Sequence, residues 1–152
     1  MSSIFEGSNA SRVAKEFSDR VWLSWTNRGH QPDQLPSTEA LSKAVDFSIE
    51  ADIECTLINC SHADMASNSI KELKRAPRFG IFANSSTFKE VDLSIATKDV
   101  DAIHHLNSEK ISAKEYAMIA LSWVKEGAYV VGGCCGTTVE HTREIKLLMD
   151  SL

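Results

Sequence analysis

No apolar run in this chain reaches the roughly 18 residues that a membrane-crossing helix needs, which argues against a membrane protein. The opening residues, MSSIFEGSNASRVAKEF, lack both a basic start and a continuous apolar stretch. No signal peptide is expected, and the default compartment is the cytoplasm. Lys and Arg are scattered within a net charge of -5 and form no basic stripe, so a nucleic-acid partner is not expected. Low-complexity segments and sequence repeats are absent. Cysteine is scarce, with four in 152 residues. In a reducing compartment four thiols point to a metal or to catalysis more than to a disulfide framework. What remains is an ordinary globular composition, 43% hydrophobic and 24% charged, which argues against disorder. The length suits one domain, residues 1–152, with a core of its own.

The elements alternate. Apolar, β-rich runs occur at RVWLSWT (20–26), ECTLINC (54–60), RFGIFANS (78–85) and AYVVGG (128–133). Stretches with helical spacing lie between them. An opening helix is expected around Val13 and Phe17. A second starts near Ser37, with Leu41, Ala44, Val45, Ser48 and Ile49 on one face. A third follows Cys60 and holds Met65, Ile70 and Leu73. Ser112 and Glu115 have capping-box spacing ahead of a stripe of Tyr116, Ile119, Ala120, Trp123 and Val124, which Gly127 is placed to end. Thr137 and Glu140 repeat that spacing before Ile145, Leu148, Met149 and Leu152. The fold class is therefore α/β, with parallel strands joined by right-handed helical crossovers. Four such units fit either a small open sheet or half of an eight-stranded barrel, whose full length is ~250 residues. The stretch from Ala83 to about Ile111 is the least regular and sits where an α/β site would be built.

The stretch GGCCG (132–136) carries the most chemistry. Successive side chains on a strand point to opposite faces, so Cys134 and Cys135 can aim at one centre only if the backbone leaves strand geometry. Gly132 and Gly133 on one side and Gly136 on the other would permit that. The segment ends a predicted strand, the edge at which α/β proteins place their sites. A soft divalent ion, zinc above all, is the natural guest of two sulfurs. Cys60 is the best third ligand, because it too ends a predicted strand. Three cysteines and one vacancy describe a catalytic rather than a closed structural site. Two other readings stay open: packing residues beside a tight turn, and a thiol redox pair, although redox proteins favour Cys-x-x-Cys. Cys55 reads as a core residue. His62 is either a fourth ligand or a loop or helix-start residue. His104 and His105 fall in the irregular stretch, exposed or over the site, and His141 reads as a surface or packing residue.

GGCCGTTVEHTREI closely resembles the carboxyl-terminal signature of the homocysteine S-methyltransferase family, and LINCSHADM resembles that family's other zinc segment. ANSS with EVD, and ISAKEYAMIALSWVKEGAYVVGG, resemble the stretch after strand seven and the last helix and strand. The resemblance runs from about Val21 to the end. It implies strands five to eight of a (β/α)8 barrel, with Cys60, Cys134 and Cys135 as zinc ligands and the homocysteine sulfur in the fourth position. It implies methyl transfer to that thiol, giving methionine, from a small donor that varies in the family: S-methylmethionine, a betaine or a folate. Asn84 would face the site from strand seven, or else serve the turn. Ser24 and Thr26, on strand five, would be inward or rim residues. Leu57 stands where many members have Gly, and Ala83-Asn84 where some have Pro-Asn. The first four strands, with the residues that hold the homocysteine amino and carboxylate groups, have no counterpart here.

A half barrel has two open edges and an apolar inner face. It would need a second copy, a partner chain with the first half, or a longer product. The leading expectation is a zinc-dependent homocysteine S-methyltransferase or a truncated member. The alternative is a non-catalytic zinc-binding half-barrel subunit or remnant.

Overall fold

A computed structural model describes residues 1–28, 31–88 and 108–151. Its elements are α1 (Ile4–Lys15), β1 (Trp22–Trp25), α2 (Leu41–Glu50), β2 (Cys55–His62), α3 (Ala63–Asn68), α4 (Ile70–Leu73), β3 (Phe79–Asn84), β4 (Ser86–Phe88), β5 (Ser108–Lys110), α5 (Ala113–Lys125), β6 (Val130–Gly133) and α6 (Val139–Met149). The sheet order is β1-β2-β3-β6, every pair parallel. The four expected strands and the alternation with helices are present.

Period-two alternation sorts each strand between two faces. Leu23 and Trp25 of β1, Ile58 of β2 and Ile81 of β3 are buried towards the helices. Trp25 is the clearest anchor: its indole Nε1 donates to Ser48 Oγ in α2 at 3.0 Å, and its ring meets Phe47 edge-on. Gly7 of α1 lies so close above Trp25 that a Cβ there would come within 2.3 Å of the ring. That contact corrects the expected opening helix. It starts at Ile4, buries Gly7 and Ser11, and leaves Val13 and Phe17 facing solvent. Small residues let α1 approach the indole, with Ile4 and Ala14 packed partly buried beside them.

On the opposite face, register places Ser24 beside Leu57 and Gly80, and Asn59 beside Phe82 and Gly132. Gly80 leaves room for Leu57 and Val130, and Gly132 leaves room for Phe82. Strands four positions wide would stand roughly 14 Å apart if flat. Yet Trp22 of β1 and Tyr129, which leads into β6, bring their ring centroids within 6.2 Å. The two outer strands thus come into contact through these side chains at the foot of the sheet. Glu54 stands at the foot of β2, where Arg20 and Arg78 both reach it, Arg20 foremost in holding its carboxyl below the usual range.

Among the described residues, no further strand pairs with the outer edges of β1 and β6. On β1 the Met1 amine donates to Ser24 O at 2.6 Å and Thr26 N–H donates to Met1 O at 3.0 Å, the bonds of a single parallel rung. The cap of α5 is as expected: Ser112 and Glu115 form a capping box, and Gly127, at φ +99°, ends the helix. The cap of α6 is shifted by one residue. Thr138 is the N-cap and His141 takes the third position, while Thr137 bonds Cys134 instead. Of the expected stripes, Ala117 replaces Ile119 and Val124 in the buried set, and Ile49 is 40% exposed. Ile145 is buried, with Leu148 and Met149 packed against the core. Leu152 and the pair His104 and His105 lie outside the described residues. β4 and β5 form a short antiparallel ribbon inside the stretch that reads as irregular.

Candidate metal centre

Three strand ends build the site. β2 reaches it through a break: its register with β3 shifts between Asn59 and His62, and Cys60 inside the break has φ +54°. The left-handed region costs a residue with a Cβ about 1–2 kcal/mol, and such strain persists only where the surroundings fix it. Leaving the ladder turns the Cys60 side chain out, where it is exposed.

β6 reaches the site through a tight turn. Cys134 N–H donates to Ala83 O at 2.8 Å, continuing the ladder for one more bond. Thr137 N–H then donates back to Cys134 O at 3.2 Å, and the Thr137 hydroxyl donates to the same oxygen at 2.7 Å. The third residue of this turn is Gly136, at φ +77°, the conformation in which glycine is favoured. Cys135 is held through both its backbone groups. Its N–H donates to Asn84 Oδ1 at 3.0 Å, and its carbonyl accepts from Ser85 N–H at 3.0 Å.

The glycine hinge therefore works differently from the expectation. Gly132 and Gly133 remain in β6 and are there for close approach: a Cβ on Gly133 would come within 2.4 Å of the Thr137 hydroxyl. The left-handed residues at the site are Gly136 and Cys60 itself.

The result is a triangle of sulfurs. Cys60 Sγ is 3.6 Å from Cys135 Sγ, Cys135 Sγ is 4.0 Å from Cys134 Sγ, and all three lie within 4.8 Å of one another. Zn–S bonds of about 2.3 Å in a tetrahedron separate sulfurs by about 3.8 Å. The three cysteines thus fit one soft cation with little movement, and two of them are exposed, which leaves a direction open to a fourth ligand. Partial burial of the sulfur first, and then the Cys135 and Cys134 sulfurs, push the Cys60 thiol up to about 12. A divalent cation bound there would reverse that preference at Cys60.

The other candidates sort by position. Asn84 stands beside the triangle through its bond to Cys135. Thr26, at the rim of β1, donates to Asn59 Oδ1 at 3.1 Å. Ser24 is two residues further down, half-buried, and its hydroxyl has no hydrogen-bond partner among the described residues. His62 is buried at the start of α3, with Nδ1 2.8 Å from Ser86 Oγ, so it is neither a ligand of the triangle nor a solvated loop residue. His141 packs its ring against Tyr116. Cys55 is a buried core residue at the far end of β2, its thiol pushed up to about 11 by burial. A recess of about 450 Å³ lined by Lys74, Arg78 and Tyr129 lies at the opposite end of the strands from the sulfurs. Asn59 and Tyr116 are the neighbours that sequence reasoning missed. The Asn-Cys pair in LINCSH was a signal for the first; none marks the second.

The family model described as homocysteine S-methyltransferase matches residues 1–149. Homocysteine S-methyltransferase YbgG of Bacillus subtilis (strain 168) is 26% identical over 144 residues, 93% of this chain and 42% of that protein. Among solved structures, the oxidized form of the homocysteine methyltransferase MmuM from Escherichia coli superposes with a TM-score of 0.65 at 18% identity, covering 100% of this chain and 43% of that one. The metallated form of MmuM gives a TM-score of 0.64 at 17% identity, covering 97% and 42%. The fold is thus that of part of a barrel enzyme, and the chain spans less than half the length of the relatives it matches.

Proposed function

The chain belongs to the homocysteine S-methyltransferase family, and on that premise we propose that it serves zinc-dependent methyl transfer to the thiol of homocysteine, with Cys60, Cys134 and Cys135 as the metal ligands. The observation that carries this reading is the sulfur triangle, whose spacing suits one zinc ion and whose exposed side admits a thiol. Zinc, when bound, lowers the pKa of a thiol that joins it, so homocysteine can react as a thiolate near neutral pH, where a free thiol with pKa about 8.5 is mostly protonated.

The substrate loses its S–H proton, its sulfur bonds to the methyl carbon of the donor, and the donor departs with the electron pair of the broken bond. The donor is a small compound with an activated methyl group, and the products are methionine and the demethylated donor. This chain's residues hold the reacting sulfur in place. The turn at 134–137 and the Asn84 side chain fix Cys135, and the break in β2 fixes Cys60. Asn84 and Ser24 are assigned to the substrate side, the first through its amide donors, the second through a hydroxyl on the sheet face turned away from the helices. A cytoplasmic setting, which keeps thiols reduced, suits this chemistry, and among the described residues no helix is long and apolar enough to cross a membrane.

The contacts to the substrate's amino and carboxylate groups belong, in this reading, to further strand–helix units, supplied by a second copy, by a partner chain or by the rest of a longer product. Both flanks support this. β1 already accepts a parallel rung from Met1. Phe5, Val13 and Phe17 are exposed at one flank, Met118 and Leu147 at the other, and Trp22 and Tyr129 at the foot of the sheet. Aromatic side chains exposed together are what a docking partner uses as anchors.

The coverage of about 42% of the relatives favours one second reading, a metal-binding half barrel without turnover of its own. The test is an assay of the purified chain at its native mass, given zinc, homocysteine and S-methylmethionine, a betaine or a methylfolate. The proposal expects methionine, and none after Cys134→Ser. A metal-loaded oligomer or complex that forms no methionine with any donor supports the second reading instead.

A further inference from the structure

Tyr116 stands in the first turn of α5 and is fully buried. Its hydroxyl oxygen lies 2.8 Å from Ala83 O and 2.8 Å from Gly132 O. These carbonyls belong to neighbouring strands, one residue before Asn84 on β3 and two before Cys134 on β6. Ala83 O also accepts the Cys134 N–H at 2.8 Å. One phenol, one carbonyl and one cysteine amide thus form a continuous line of hydrogen bonds into the sulfur triangle.

The ring cannot swing away. Trp123 meets it edge-on at 5.7 Å and His141 at 5.7 Å. Trp123 extends the brace to the third sulfur: its Nε1–H donates to Ser67 Oγ at 2.7 Å, and Ser67 donates to Ala63 O, three residues after Cys60. Burial also pushes the phenol pKa upward, so the hydroxyl is a neutral donor at working pH. A phenylalanine would fill the same core space. The backbone bonds and Asn84 already join the two strand ends; the hydroxyl adds to them the one side-chain donor that, among the described residues, the ends of β3 and β6 share.

Resting on the reading of the triangle as a metal site, we propose that Tyr116 is a positioning residue for it: by sharing its phenol proton between two strand-end carbonyls, it sets the spacing of the β3 and β6 ends and so the separation of the sulfurs. Outer contacts of this kind typically change metal affinity by about 10- to 100-fold when removed.

The test compares wild type, Tyr116→Phe and Val45→Ala, the last a core truncation in α2 outside the site. Each is titrated with Co²⁺ as a spectroscopic probe and with Zn²⁺ by competition. Tyr116→Phe is expected to bind both metals about 10- to 100-fold more weakly, with shifted Co²⁺ d–d and thiolate charge-transfer bands. Val45→Ala is expected to lose thermal stability while keeping affinity and bands. Wild-type affinity and bands in Tyr116→Phe overturn the inference. A wild type that takes up neither metal overturns the metal-site reading itself. If Tyr116→Phe does not fold, 3-fluorotyrosine at position 116 keeps the shape and makes the proton more acidic. Shifted Co²⁺ bands at an unchanged melting temperature then support the inference, and unchanged bands overturn it.

Discussion

The sulfurs of Cys60 and Cys135 stand 3.6 Å apart although 75 residues separate them in the chain. Two independent departures from strand geometry produce the contact: the left-handed backbone at Cys60 and the turn that begins at Cys134. The first costs conformational energy, because Cys60 carries a Cβ; the second does not, because glycine takes the turn's left-handed position at residue 136.

The strain at Cys60 is measurable. Glycine occupies φ +54° without the Cβ penalty. Cys60→Gly should therefore be about 1 kcal/mol more stable than Cys60→Ala, although both lose the ligand. Urea denaturation of the metal-free proteins checks this, and a glycine variant less stable than the alanine variant contradicts it.

Metal uptake should be steeply pH-dependent. Burial and the neighbouring sulfurs hold the Cys60 thiol up near 12, so without a cation it remains protonated throughout the neutral range. Binding must expel that proton, and lowering the pH favours the protonated, metal-free state. Affinity for Zn²⁺ should therefore rise as pH increases from 6.5 to 8, with proton release visible by calorimetry in buffers of different ionisation enthalpy. An affinity independent of pH contradicts the assignment.

Gly136→Ala should lose about 1–2 kcal/mol from its left-handed backbone alone, and more from contact, since its Cβ would lie 2.7 Å from Ser85 Oγ. Adding Ser85→Ala should recover the contact part and leave the backbone part. Thermal unfolding of the two single variants and the double variant separates them.

Gly7→Ala offers a test of sign. In an unobstructed helix interior this change stabilises by up to about 1 kcal/mol. Here the new Cβ would meet Trp25 at 2.3 Å, and overpacking of a core costs about 1–3 kcal/mol. The variant should melt below wild type.

The strands were legible because each is a short β-rich apolar run whose buried face packs on helices. The Ser112–Glu115 box was legible because its chemistry is local. What could not be read depended on distance. Gly7 and Ser11 form the buried face of α1 because a tryptophan from another element lies beneath them, which no periodicity shows. β4 and β5 are three-residue pieces, too short for alternation to register. At the site, residue types and strand-end positions pointed to Cys60, Cys134 and Cys135. The role of Gly132 and Gly133 as space for Phe82 and Thr137, and the shared donor at Tyr116, needed the packing.

Metal analysis of the purified chain, run together with its native mass and its Cys134→Ser variant, tests the central claim most directly. The account predicts about one zinc per chain, held by thiolates, and almost none in the variant. A reduced, folded chain that takes up no zinc, or a variant that retains it, would contradict the assignment of the three sulfurs to a single metal ion.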